Sequence, residues 1–188
     1  MKAMFIVACL LVSICLLTAS SSYADAAKSI DTASQAEKLA RATFRLLGWP
    51  ATGALNVKAP AANSTVRIRR WRVIFGDYEA HYNADNGQLM AVLLKNALRG
   101  RTQANINIDE KTANAKALHY LKLLSLDISN TRIISSKAEN YTLNPGTTTW
   151  EISMHRYYQD FEFYRDSIHV SLDPRDGSLC LIGDTAPL

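Results

Sequence analysis

Four arginines fall within six positions, Arg67, Arg69, Arg70 and Arg72, with Trp71 among them. Guanidinium groups this close together attract phosphate, sulfate or carboxylate groups, as an anionic envelope polymer or a lipid headgroup presents them. An indole between them can stack on a base or a sugar. The competing explanation is edge-strand protection, in which charges discourage sheet-to-sheet association. A second cluster is aromatic: Tyr157, Tyr158, Phe161, Phe163 and Tyr164, flanked by Arg156 and Arg165. If exposed, these rings anchor a protein partner, with the arginines suited to an acidic rim. If turned inward, they cover the helices.

Other chemistry finds little support. His81, His119, His155 and His169 lack the His-Glu-x-x-His spacing that puts two zinc ligands and a base on one helix face. His81 and His169 occupy similar places in two hairpins, so a shared metal site competes with two ordinary strand histidines. There is no Gly-x-Ser-x-Gly elbow, no motif around a cysteine and no Gly-rich phosphate loop. Asp173 and Asp176 flank a turn, where aspartate caps its own backbone. The expectation is a protein with no catalytic residue, no metal and no cofactor.

The N-terminus reads as an export signal. Lys2 precedes a nearly unbroken apolar run of 14 residues, 4–17, and small polar residues lead to Ala24-Asp25-Ala26. That pattern is a signal peptide, residues 1–26, with cleavage expected after Ala26. The run is shorter than the roughly 20 residues a spanning helix needs. No second long apolar segment follows, so the expected product is secreted or periplasmic and has no transmembrane segment. Cys9 and Cys15 lie in the leader, which leaves Cys180 in the apolar run Leu179-Cys180-Leu181-Ile182, the setting of a small core residue. The net charge of +4 permits anionic partners without demanding them, and no nucleic acid is expected. Asn63-Ser64-Thr65 and Asn140-Tyr141-Thr142 match the glycosylation acceptor pattern.

These residues must be positioned by two similar stretches. Ser34 and Glu37 fit a capping box. Ala36, Leu39, Ala40, Thr43, Phe44 and Leu47 then mark one helix face, ended by Gly48 and Pro50. A loop to about residue 64 precedes a strand at 65–75, whose alternation slips at Arg69-Arg70 and suggests a bulge. Strands at 77–84 and 88–94 flank the hairpin turn Asp85-Asn86-Gly87. Asp109 caps a second helix through Leu124, with Ala113, Ala117, Leu121 and Leu124 facing inward. A loop ending in Asn144-Pro145-Gly146 follows. Strands are then expected at 148–158, 161–164, 167–172 and 178–182, with a tight turn at Gln159-Asp160 and another at 174–177.

The two stretches match in register. Leu47 lies 24 positions before Trp71, and Leu124 lies 26 before Trp150. The run from Asp77 to Leu89 reappears in outline from Asp166 to Leu179, with the second stretch carrying an additional hairpin. An internal duplication follows. The fold expected is α+β: two tandem units, 27–100 and 101–188, each a helix packed on a small antiparallel β-sheet.

Asp77-Tyr78-Glu79-Ala80-His81-Tyr82-Asn83-Ala84-Asp85-Asn86-Gly87-Gln88-Leu89 resembles the closing strand pair of PepSY-type domains, relatives of the propeptides of secreted metallopeptidases. Trp150-Glu151-Ile152-Ser153, His155-Arg156-Tyr157-Tyr158 and the run 166–173 are similar to the propeptide version, and the tandem order resembles YcdB/YcdC-type repeat proteins. Gln88 and Ser178 stand where that family often has Glu, and Gln159-Asp160 replaces its usual Asn-Gly. The resemblance implies a non-catalytic module that regulates or inhibits an extracytoplasmic peptidase, acting in trans on a separate protein. Two alternatives remain: an envelope-polymer or lipid-binding protein using the Arg-rich strand, and a small enzyme with a sheet-lined pocket.

Overall fold

The computed structural model describes residues 29–61, 68–95, 105–140 and 148–185. The leader 1–26, Arg67, the acceptor pattern at Asn63 and most of that at Asn140 lie outside them, as do the side chains of Phe163, Tyr164 and Arg165. Among the described residues, no helix is long and apolar enough to cross a membrane.

Among the described residues, two helices and eight strands are built in the order α1 (Ala33–Leu46), β1 (Leu55–Lys58), β2 (Arg70–Phe75), β3 (Tyr78–Asn83), β4 (Leu89–Leu94), α2 (Glu110–Leu123), β5 (Thr131–Asn140), β6 (Thr148–Tyr158), β7 (Phe161–Leu172), β8 (Leu179–Thr185). The cap of α1 lies two residues earlier than Ser34. Thr32 Oγ1 accepts from Gln35 N at 3.3 Å, and Gln35 Oε1 accepts from Thr32 N at 2.9 Å. Glu37 is thereby free to hold Arg41 one turn on, at 2.8 Å. Asp109 caps α2 as expected, accepting from Thr112 N at 2.8 Å.

β1 and β5 replace what the sequence reads as loops. Both are outer strands; β1 is only four residues long, and β5 does not alternate cleanly in its sequence. β2 starts only at Arg70, so the broken alternation at Arg69-Arg70 marks a strand end, not a bulge. The stretch 161–172 is one strand. Its register jumps from His155↔Ser167 to Arg156↔Phe163, so residues 164–166 have no registered backbone partner on β6. The added length of the second half therefore extends the β6–β7 hairpin.

All eight strands form one antiparallel sheet in the order β1-β2-β3-β4-β8-β7-β6-β5. Registered partners Val57, Val73, Ala80, Val92, Ile182, Val170, Ile152 and Ser136 run straight across it. Side chains along such a row share a face. Phe44 of α1 packs on Phe75 and Tyr78, and Thr43 shares a 2.7 Å hydrogen bond with Tyr82, all on that face. Ala113, Ala117 and Leu121 of α2 join the same buried core as Ile152 and Val170. Both helices thus cover one face of the sheet and leave Arg72, Glu79, His81 and their row-mates on the other.

The turns after β3 and β7 are alike bond for bond. Asn83 N donates to Gln88 O and Gly87 N to Asn83 O, both at 2.9 Å; Asp173 N donates to Ser178 O and Gly177 N to Asp173 O, both at 2.8 Å. Asn83 Oδ1 and Asp173 Oδ1 each accept from the amide two residues on. Gly87 and Gly177 share φ +70°. A Cβ at Gly177 would meet Lys116 Cδ at 2.1 Å, but that is the end of a flexible side chain that can swing aside, so it is the positive φ that favours glycine there. The same bulge follows each turn, with Met90 the extra residue opposite His81 and Tyr82, and Cys180 the extra residue opposite Ser171 and Leu172.

Two tryptophans sit at matching places, Trp71 opposite Tyr82 and Trp150 opposite Leu172. Trp71 Nε1 donates to Ile30 O at 2.7 Å and so ties the segment before α1 to the sheet. Trp150 Nε1 is buried with no hydrogen-bond partner. Losing the first bond orphans a buried carbonyl, whereas losing the second donor removes an existing penalty. Urea unfolding should show Trp71→Phe costing about 1–2 kcal/mol more than Trp150→Phe. Equal losses would mean that Trp150 Nε1 is satisfied in solution.

Candidate binding surfaces

The tip of the β6–β7 hairpin is a two-residue turn with Gln159 at φ 48° and Asp160 at φ 67°. Two consecutive positive φ values give the turn twist that matches paired strands. Tyr158 and Phe161 face each other across it, 64% and 74% exposed. Ile133 and Ile134 on the neighbouring β5 are exposed too. Only Leu55 and Ile106 elsewhere among the described residues are comparable, so four of six exposed large apolar side chains gather on this outer end.

The arginines at the tip differ from the expected pair. Arg156 turns inward, pairing with Asp166 through Nη1 and donating to Asp127 O at 3.1 Å through Nη2. Both side chains of the Arg156–Asp166 pair are nearly buried, so Arg156 closes the register jump instead of rimming the surface. Arg132 takes the outer position. Its guanidinium lies 4.3 Å over the Tyr157 ring, and Nη2 donates to Asp160 Oδ1 at 2.6 Å. Arg132, Ile133 and Ile134 belong to a strand that the sequence reads as a loop, so they are not singled out there. The β-branched pair beside an arginine was the available signal.

The arginine run divides. Arg69 precedes β2 and donates to Asp85 Oδ1 from Nε (3.1 Å) and Nη2 (2.5 Å). Arg70 and Arg72 point to the helix-free face, and β1 pairs along β2 from Arg72 to Phe75. β2 is therefore an inner strand from Arg72 on, so edge protection does not explain Arg72, whereas Arg70 lies beyond the β1 pairing.

Arg72 belongs to a buried-charge network. Glu79 is 2% exposed, with Arg72 Nε on Oε1, Arg72 Nη2 on Oε2 at 2.9 Å, His81 Nε2 on Oε1 at 2.6 Å and Lys95 Nζ on Oε2 at 2.8 Å. Burial alone pushes this carboxyl up; the hydrogen bonds from Arg72, His81 and Lys95 outweigh it and hold it at about 2. Burial likewise lowers His81 against the pull of Glu79, with Arg70 and Arg72 adding repulsion.

The corresponding place on the other half holds Glu151, Ser171 and His169. Burial raises Glu151 against hydrogen bonds from Thr149 Oγ1 (2.5 Å) and Ser171 Oγ (2.7 Å). His169 lies between Ser153 and Ser167, 3.1 Å from each hydroxyl. His81 and His169 occupy one cross-sheet row but are separated by β4 and β8. Three strand spacings amount to about 14 Å, too far for one metal ion. Among the described residues no three His, Cys, Asp or Glu side chains gather as a metal site. Cys180 is buried in β8, as expected of a core residue.

The fold is similar to the solved Bacillus megaterium YpeB C-terminal domain, with a TM-score of 0.59 and 14% sequence identity. The match covers 84% of this chain and 64% of that one, so the chain spans less than two thirds of the length of that structure. At this identity the likeness concerns fold alone. No protein-family model matches the sequence, and no curated protein does.

Proposed function

We propose that this chain is a secreted, non-catalytic binding module of PepSY type. It is built as two copies of one helix-plus-four-strand unit and regulates or inhibits an extracytoplasmic peptidase. The fold-level likeness to the YpeB domain supports the PepSY-type reading. The duplication is supported by the matching turns and bulges and by the join between the halves. Val92 pairs with Ile182, flanked by Ala91↔Gly183 and Leu93↔Leu181, as a two-fold axis through the central pair requires. The observation that carries the binding role is the outer end of β5–β7, where Tyr158, Phe161, Ile133 and Ile134 lie exposed together. A grouped apolar surface of this kind marks an interaction site, and an aromatic pair on a rigid hairpin anchors it at low entropic cost.

The test is titration of residues 27–188 into peptidases purified from the extracytoplasmic fraction of the source cells, with binding and residual activity followed together. One peptidase should bind and lose activity. Tyr158→Ala and Phe161→Ala should each weaken that binding about tenfold or more, with thermal stability unchanged because both side chains face solvent. Unaltered binding in the double variant would move the contact away from the hairpin. No peptidase bound at micromolar concentration would remove the regulatory reading.

A further inference from the structure

The helix-free face carries a groove of about 430 Å³ at the β1–β2 end, lined by Lys58, Ala59, Pro60, Ala61, Ile68, Arg69, Arg70, Arg72 and Met90. Its volume lies in the range of small-ligand sites. Lys58 stands directly opposite Arg72 across the β1–β2 pair, and Arg70 lies two residues from Arg72 on the same face. Like charges set directly opposite in a sheet repel. Within the described residues that repulsion is only partly relieved. Arg72 spends Nε and Nη2 on Glu79, and Arg69 is held by Asp85. Among the described residues, Lys58 and Arg70 have no acidic partner. Met90, Ile68, Pro60 and the two alanines form an apolar wall beside the cations.

We propose that this groove binds a phosphate ester carrying an apolar substituent. The phosphate would sit among Lys58, Arg70 and the remaining Nη1 of Arg72, and the substituent would lie along Met90 and Ile68. A tetrahedral dianion offers oxygens to three donors approaching from different directions, which a planar carboxylate does less well. The site is independent of the hairpin at the other end of the sheet, so the peptidase reading can fail without affecting it.

The test is calorimetric titration of the protein with monomeric dihexanoyl phosphatidic acid at low salt, with inorganic phosphate as a parallel probe. One saturable site is expected, weakening as salt rises, with inorganic phosphate at least about tenfold weaker because it lacks the apolar part. The double variant Lys58→Gln, Arg70→Gln should bind at least about tenfold more weakly, while Arg70→Lys keeps most of the affinity. Sedimentation with phosphatidylcholine vesicles containing phosphatidic acid, but not with pure phosphatidylcholine vesicles, would support the site and identify a bilayer as the source. Monomer binding without sedimentation would support it with a free phosphate ester as the ligand. No saturable binding, or a folded double variant that binds like the parent, overturns the proposal. Equal affinity for inorganic phosphate and the lipid overturns the apolar half of it.

Discussion

Glu79→Ala should lower stability by about 3 kcal/mol at neutral pH and the melting temperature by about 6–12 °C. The substitution removes the one carboxylate that Arg72, His81 and Lys95 share and leaves three basic groups facing one another on β2, β3 and the end of β4. Glu79 is fully covered, but Arg72 and Lys95 are each about a third exposed. Solvent therefore softens the loss, and the lower end of the range for breaking a buried pair applies. The pH dependence has a definite sign. A carboxyl held at about 2, against an ordinary value of 4.5, contributes stability that is complete above about pH 4.5 and disappears as pH falls toward 2. Parent and Glu79→Ala unfolding curves in urea should be well separated at pH 7 and converge near pH 2. A separation that persists at pH 2 would assign the loss to packing and not to charge.

That network was not legible in the sequence, and the reason is geometric. Its members are residues 72, 79, 81 and 95, brought together by two hairpin registers and a bulge that no local pattern specifies. The same limit explains Arg156. The aromatic hairpin and its turn could be read from residue types, but the register jump that buries Arg156 against Asp166 depends on a three-residue mismatch between strands. What could be read was local. Asp109 capping α2, the inward face of α1 and the Gly87 and Gly177 turns each follow from neighbouring residues in the chain. The outer strands escaped for different reasons: β1 alternates but is only four residues long, and in Thr131–Asn140 the apolar residues are Ile133, Ile134 and Ala138, which fit no period of two. The pairing of β4 with β8 joins residues 90 positions apart (182 − 92), which placed the joining of the two halves beyond any local signal.

That join should be the most sensitive place in the protein. Ile182 is fully buried at the centre of the row that crosses all eight strands, opposite Val92 and under the common core. Ile182→Asp removes about 2–3 kcal/mol of apolar burial and sets a carboxylate in a buried row between Val92 and Val170. Together these should exceed about 4 kcal/mol, a large share of the roughly 5–15 kcal/mol that holds an ordinary domain folded. Leu181→Asp is the control. One residue earlier the side chain lies on the helix-free face and is partly exposed, so the same charge should cost about 1–2 kcal/mol. Hydrogen exchange at Val73 and Ile152, one in each half, separates two accounts of the core. If the halves share one cooperative core, Ile182→Asp strips protection from both amides together. Loss at Ile152 alone would show that β1–β4 with α1 holds its structure without β8, and that the sheet is continuous in hydrogen bonding but not in stability.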